Sequence, residues 1–166
     1  MFLPTFTCQT GEGMIAFASS FPGTILPMEI SANNTIICQK HAFLACQKSV
    51  KLSAHINRKV GGTFFGGEGL ILQRLEGNGL AFLEIDGHVV QYDLTAGQSL
   101  LVDTGALAAM TASVTMDVQS TGGIKNTLFG GEGLFHTRVT GPGTIWLQTM
   151  PYTRLAATFR PIFSSK

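Results

Sequence analysis

Charge is scarce in this chain. Its 166 residues hold 11 Lys and Arg and 10 Asp and Glu, 13% in all, about half the usual share. The net charge of +1 gives no electrostatic case for binding nucleic acid or an anionic membrane surface. Cysteine is scarce too. Cys8, Cys38 and Cys46 are odd in number and form no Cys-x-x-Cys, which argues against a disulfide framework and fits a reducing, cytoplasmic compartment. No apolar run reaches the ~18 residues of a membrane span. The opening Met1-Phe2-Leu3-Pro4-Thr5-Phe6-Thr7 lacks the basic region of a signal peptide and the Arg/Ser pattern of a transit peptide. Helical periodicity is nearly absent. The best short-helix candidate is the tail near Arg154-Leu155-Ala156-Ala157.

What is present is apolar residue and glycine. Hydrophobic residues make up 45%, and there are 20 glycines. The length suits one domain with a core that needs no metal or disulfide. So little charge over so much apolar surface has two explanations. Another subunit covers part of the surface, or a two-layer sheet core buries nearly all of it.

The organising feature is a repeat. Gly66-Gly67-Glu68-Gly69-Leu70 recurs as Gly130-Gly131-Glu132-Gly133-Leu134, an offset of 64 residues. At that offset the chain matches itself without a gap from about Gly23/Gly87 to Leu83/Leu147. Val50 meets Val114, Phe65 meets Phe129, Arg74 meets Arg138, and Gly77 and Gly79 meet Gly141 and Gly143. A third, partial copy opens the chain, with Met1 to Phe6 where Leu70 to Leu75 lie. Either this first copy is vestigial or an N-terminal segment has been lost. The expected organisation is one domain over residues 1–166, with a partial repeat 1–22, repeats 23–86 and 87–150, and a tail 151–166.

Each repeat reads as strands. Ile36-Ile37-Cys38, Phe43-Leu44-Ala45-Cys46, Leu80 to Ile85, Val89 to Leu94 and Leu100-Leu101-Val102 are short apolar or alternating runs between turn residues. Val50, Leu52, Ala54 and Ile56 alternate with polar residues, the pattern of a half-exposed strand. Turns are expected at Gly77-Asn78-Gly79, Asp86-Gly87, Ala96-Gly97 and Thr104-Gly105. Many short strands at regular spacing predict an all-β domain, a sandwich or a barrel.

Few residues invite a chemical reading. Asp103-Thr104-Gly105 looks like the active-site turn of an aspartic protease. That chemistry needs two carboxylates sharing a proton, and the repeat partner of Asp103 is Gln39, so the motif reads more simply as a strand-to-strand turn. The Gly-Gly-Glu-Gly loops lack the Lys-Ser/Thr and following helix of a phosphate cradle. Each loop Glu has an Arg six residues on, which predicts structural ion pairs Glu68–Arg74 and Glu132–Arg138. The histidines 41, 55, 88 and 136 do not recur in the repeat and form no His-x-His, so no metal site or cofactor is expected. Cys38 and Cys46 read as small core hydrophobes. Cys8, in a longer loop, is the most reactive candidate. Lys48 and Lys51 near Arg58-Lys59 form a modest basic cluster without the interleaved aromatics of a nucleic-acid site. Lys125-Asn126 is the most asymmetric polar element of the repeat and the candidate contact for a ligand or partner.

Phe65-Gly66-Gly67-Glu68-Gly69-Leu70, Gly122-Gly123-Ile124-Lys125-Asn126, Phe129 to Phe135 and Gly141-Pro142-Gly143-Thr144-Ile145-Trp146-Leu147-Gln148 together resemble the altered inheritance of mitochondria protein 24 family, over essentially the whole chain. The resemblance implies a fold like that of the tryptophan RNA-binding attenuation protein. It implies β-sandwich units of double-stranded β-helix type, pseudo-threefold repetition and a tendency to form trimers. It carries no catalytic residues. The expected function is a non-catalytic homo-oligomeric scaffold or interaction protein, a trimer by preference. The alternatives are a small-ligand or RNA-binding module, on fold analogy alone, and a hydrolase using Asp103.

Overall fold

The computed structural model describes residues 3–55, 71–120 and 135–163. Strand β1 (Gly23–Ile30) is followed by β2 (Ile36–Gln39), a 3-10 turn η1 (Lys40–Ala42), β3 (Phe43–Cys46) and β4 (Val50–His55). Then come β5 (Leu72–Gly77), β6 (Gly79–Asp86), β7 (Val89–Leu94) and β8 (Ser99–Asp103). After a second 3-10 turn, η2 (Thr104–Ala106), the chain continues with β9 (Leu107–Thr111), β10 (Thr115–Ser120), β11 (Phe135–Thr140) and β12 (Gly143–Gln148). A helix, α1 (Tyr152–Phe163), ends the described chain. It spans the tail segment that showed the best helical period. Residues 3–22 carry no strand or helix.

All strand pairings among the described residues are antiparallel. They make three open sheets, with strand orders β1-β6-β3, β10-β11-β8 and β4-β5-β2-β9-β12-β7. None of the three closes into a barrel, so the barrel option is set aside. The β2–β9 pairing joins the six-stranded sheet at its centre, with Ile36 opposite Thr111, Ile37 opposite Met110 and Cys38 opposite Ala109.

The core follows from the period-2 alternation of strand side chains. In β2, Ile36 and Cys38 enter one hydrophobic cluster with Leu75, Leu83, Ile85 and Trp146. Ile37, between them, enters another with Val102, Leu107, Met110, Val139 and Ile145. The six-stranded sheet therefore has a buried core on each face. One is shared with β6 of the β1-β6-β3 sheet and the other with β8 and β11 of the β10-β11-β8 sheet. That apolar load explains the composition: a sheet buried on both faces needs apolar residues at successive positions. β9 shows this plainly, since Leu107-Ala108-Ala109-Met110 are all buried.

The predicted half-exposed strand is β4. Val50 is buried and Leu52 half-buried, while Lys51 and Ser53 are exposed. Ala54 departs from the pattern and is exposed, and Ile56 lies outside the described residues. Leu72–Gly77 and Phe135–Thr140 also form strands, although their Gln73-Arg74 and Thr137-Arg138 interrupt the apolar pattern. Each is held from both sides, β5 by β4 and β2, and β11 by β10 and β8.

Candidate functional site

A cluster of polar side chains surrounds η2, where Asp103-Thr104-Gly105 lies. The turn resembles a catalytic loop in sequence, and both carboxylate oxygens of its Asp103 accept hydrogen bonds. Asp103 caps η2, its Oδ1 accepting the Gly105 N–H at 2.8 Å, as short carboxylates do at helix starts. Its Oδ2 accepts from Arg154 Nη2 of α1 at 2.6 Å. Beneath it, buried Thr137 donates from its hydroxyl to that of Thr104 at 2.9 Å. Gln39, the residue aligned with Asp103 by the repeat, donates from Nε2 to the Thr104 carbonyl at 3.1 Å and the Leu107 carbonyl at 2.7 Å. Gln148 Nε2 donates to the Gly105 carbonyl at 2.7 Å. Aspartic protease chemistry needs a second carboxylate beside the first. Here the Gln39 amide braces the turn.

The start of α1 is anchored in the same region. Asp86, at the end of β6, accepts the Tyr152 N–H at 2.8 Å, and the Tyr152 ring packs edge-on against His41 of η1 at 5.2 Å. Burial pushes the Asp86 carboxyl above its ordinary range, and the nearby Glu84 adds to this, while the Tyr152 hydrogen bond and His41 oppose it. The sequence pointed to Asp103 as a turn. It did not point to Asp86, Gln148 or Arg154 as the groups that hold α1 and η2. These partners lie 43 to 66 residues apart in the chain, and no short motif marks them.

Arg74 lies in β5, and its Nε is 2.7 Å from the Glu76 carboxylate on the same strand. Arg74 is half-buried and Glu76 exposed, so solvent screens the pair and it adds little stability. Arg138 lies exposed in β11, with Asp117 of β10 opposite it in the register. Glu68, Glu132, Lys125 and Asn126, with Arg58 and Lys59, lie outside the described residues. The two loop ion pairs and the Lys125-Asn126 contact therefore lie outside what the structure describes. His55, in β4, is held below its ordinary range by burial and by the Arg74 charge. Among the described residues no group of three or more His, Cys, Asp or Glu is placed to hold a metal ion.

The thiols divide by burial. Cys38 is fully buried in β2, and burial pushes its thiol up to about 12. Cys46 is half-buried in β3 and is also pushed up by burial. Cys8 is exposed, its Sγ 3.2 Å from the Thr10 carbonyl. The thiolate is the reactive form, so a thiol reagent should label Cys8 first, Cys46 slowly and Cys38 only on unfolding. Timed labelling read by intact and peptide mass spectrometry checks the order. Early label on Cys38 would contradict the buried β2.

The model of the Mitochondrial biogenesis AIM24 family matches residues 1–150. The chain belongs to that family. Several solved structures also match. One is the crystal structure of protein SPYM3_0169 from Streptococcus pyogenes, with a TM-score of 0.73 at 23% identity, covering 87% of this chain and 62% of that one. At that identity the likeness speaks for the fold, and this chain spans less than two thirds of the solved one. No curated protein matches it. The AIM24 match ends before α1 begins at Tyr152. Arg154 and Tyr152, which engage Asp103 and Asp86, thus come from a segment that the AIM24 match does not cover.

Proposed function

We propose that this chain is a non-catalytic scaffold or interaction domain of the AIM24 family that works as a homo-oligomer, by preference a trimer, in the cytoplasm. The observation that carries this reading is the state of Asp103. The residue with the most enzyme-like motif has one carboxylate oxygen on the η2 backbone and the other on Arg154. Exposed apolar side chains support the oligomer: Leu101, Ile25 and Tyr92 lie on strands yet face solvent. A reducing compartment suits the three unpaired thiols.

We further read the fold as two copies of one double-stranded β-helix-like unit. In support, every element from β1 to β6 has a counterpart from β7 to β12 that starts within two residues of the 64-residue offset. The strand orders correspond as well, β1-β6-β3 to β7-β12-β9 and β4-β5-β2 to β10-β11-β8.

Native mass spectrometry of the purified chain tests the proposal. A trimer with no added mass is the expected result. A monomer, or a retained metal, small molecule or nucleic acid, would overturn it and direct attention to a binding site.

A further inference from the structure

An asparagine followed by glycine can modify itself. The glycine nitrogen attacks the side-chain carbonyl carbon, and with no Cβ on the glycine nothing hinders the approach. The new C–N bond closes a five-membered succinimide ring, and the side-chain nitrogen leaves as ammonia. Water then opens the ring at either carbonyl, giving aspartate or isoaspartate. In this chain a glycine follows Asn or Asp twice, at Asn78-Gly79 and Asp86-Gly87.

The fold treats the two differently. Asp86 is held. Its Oδ2 accepts the Tyr152 N–H at 2.8 Å, and the Gly87 N–H, the nucleophile of such a reaction, donates to the Pro22 carbonyl at 3.0 Å. Asn78 is exposed, and its side chain makes no hydrogen bond among the described residues. Gly79 closes the β1–β6 register opposite Ile30, at the end where a ladder opens first. The backbone on either side of Asn78 is fixed. Gly77 lies under the Ser49 carbonyl, and the Leu80 N–H donates to Gln47 Oε1 at 2.8 Å. Both partners lie in the connection between β3 and β4. The chain leaves β4 at His55 and enters β5 at Leu72, the other end of the pair, about 17 Å away at the rise of a strand. Asn33 and Asn34 are better protected. Asn34 donates from Nδ2 to the Glu29 carbonyl and precedes the β-branched Thr35. The nitrogen that follows Asn33, that of Asn34, donates to the Ser31 carbonyl at 3.0 Å.

We propose that Asn78 is a site of spontaneous deamidation through a succinimide, and that its isoaspartate product loosens the β5–β6 corner. Water is the only co-reactant. The fold itself maintains the vulnerable pair. A Cβ on Gly79 would lie 2.6 Å from Ser49 Oγ and 2.7 Å from Gln47 Oε1, and that Gln47 oxygen is already bound to Leu80, so glycine is costly to replace. The counterpart turn 64 residues on, Gly141-Pro142-Gly143, has proline in the middle and no amide to lose. Isoaspartate adds a methylene to the main chain between two glycines that Ser49 and Gln47 hold in place, and either product sets a carboxylate near the exposed Glu76.

Ageing the full chain in warm, mildly alkaline buffer tests this. Peptide mass mapping should show a gain of about one dalton at Asn78, at least tenfold faster than at Asn33 or Asn34. Isoaspartyl methyltransferase with labelled S-adenosylmethionine should methylate the aged wild type at least tenfold more than aged Asn78→Gln, whose longer side chain closes its ring slowly. Asn78 is exposed, so Asn78→Gln should keep the wild-type circular dichroism. Asp86 should form isoaspartate in urea but not in the folded chain. Deamidation at Asn33 or Asn34 as fast as at Asn78, aspartate at position 78 without isoaspartate, or isomerisation of Asp86 in the folded chain at the rate of Asn78 would each overturn the site. The purified isoaspartate form should unfold at lower urea than Asn78→Asp, which has the same charge without the added methylene. Equal midpoints would overturn the loosening of the corner.

Discussion

Leu83→Ala is expected to destabilise the domain by about 3–4 kcal/mol, the middle of the range for emptying a well-packed leucine site. Leu83 is fully buried in β6, the central strand of its sheet. It lies opposite Leu26 of β1 and Phe43 of β3 in the registers, and it shares a cluster with Leu75, Ile85 and Ile36. Strands hold it on both sides and a second sheet covers it, so little can collapse into the space left behind. Total stabilities of single domains are about 5–15 kcal/mol, so this one change should remove a large part of the margin. Urea unfolding of the variant should show a lower midpoint with an unchanged slope. Leu101→Ala makes the contrasting control. That side chain is already exposed, and in the isolated molecule its loss should cost no more than about 0.5 kcal/mol. Equal effects at the two positions would mean that the β6 core is not packed as described.

The second large effect is expected at Gly77, the last residue of β5 before the turn to β6. Its φ is +119°, a region that residues with a Cβ rarely adopt. A Cβ there would also overlap the carbonyl oxygen of Ser49. That oxygen belongs to the backbone of the turn leading into β4, so no side-chain rotation relieves the clash. Gly77→Ala should therefore cost more than the backbone conformation alone, about 3 kcal/mol or above. Gly97→Ala separates the two contributions. Gly97 also has a positive φ, +78°, but a Cβ there would meet nothing within 4 Å, so only the conformational cost remains, about 1–2 kcal/mol. Thermal or urea unfolding of both variants measures the difference. If Gly77→Ala cost no more than Gly97→Ala, the close approach to Ser49 would be refuted.

Those two glycines show how differently sequence and structure inform. Gly77-Asn78-Gly79 marks a turn in any reading, because glycine and asparagine tolerate positive φ. That Gly77 lies under the Ser49 carbonyl depends on β4 returning beside β5, a contact across 28 residues that no local pattern encodes. Asp103 behaves the same way. Asp-Thr-Gly between two apolar runs was readable as a turn, and the structure makes it a capped 3-10 turn. Its ion pair with Arg154 joins residues 51 apart and was not readable, since neither flanking sequence names the other.

By itself, the sequence determined the strand class of most segments, the turns between them, the 64-residue self-match and the family. Each of these is written locally: in alternation of apolar residues, in glycine placement, or in the comparison of one stretch with another. It also carried the helical character of the tail at Arg154 to Ala157. The tertiary structure decided which strands became neighbours. β5 and β11 hold their places, despite Arg74 and Arg138, because strands pair with them on both sides. The joining of β2 to β9 made one six-stranded sheet with a core on each face. Pairing between distant strands is set by the fit of whole apolar surfaces and by closing long loops. Those are properties of the assembled chain, and no single segment of it contains them.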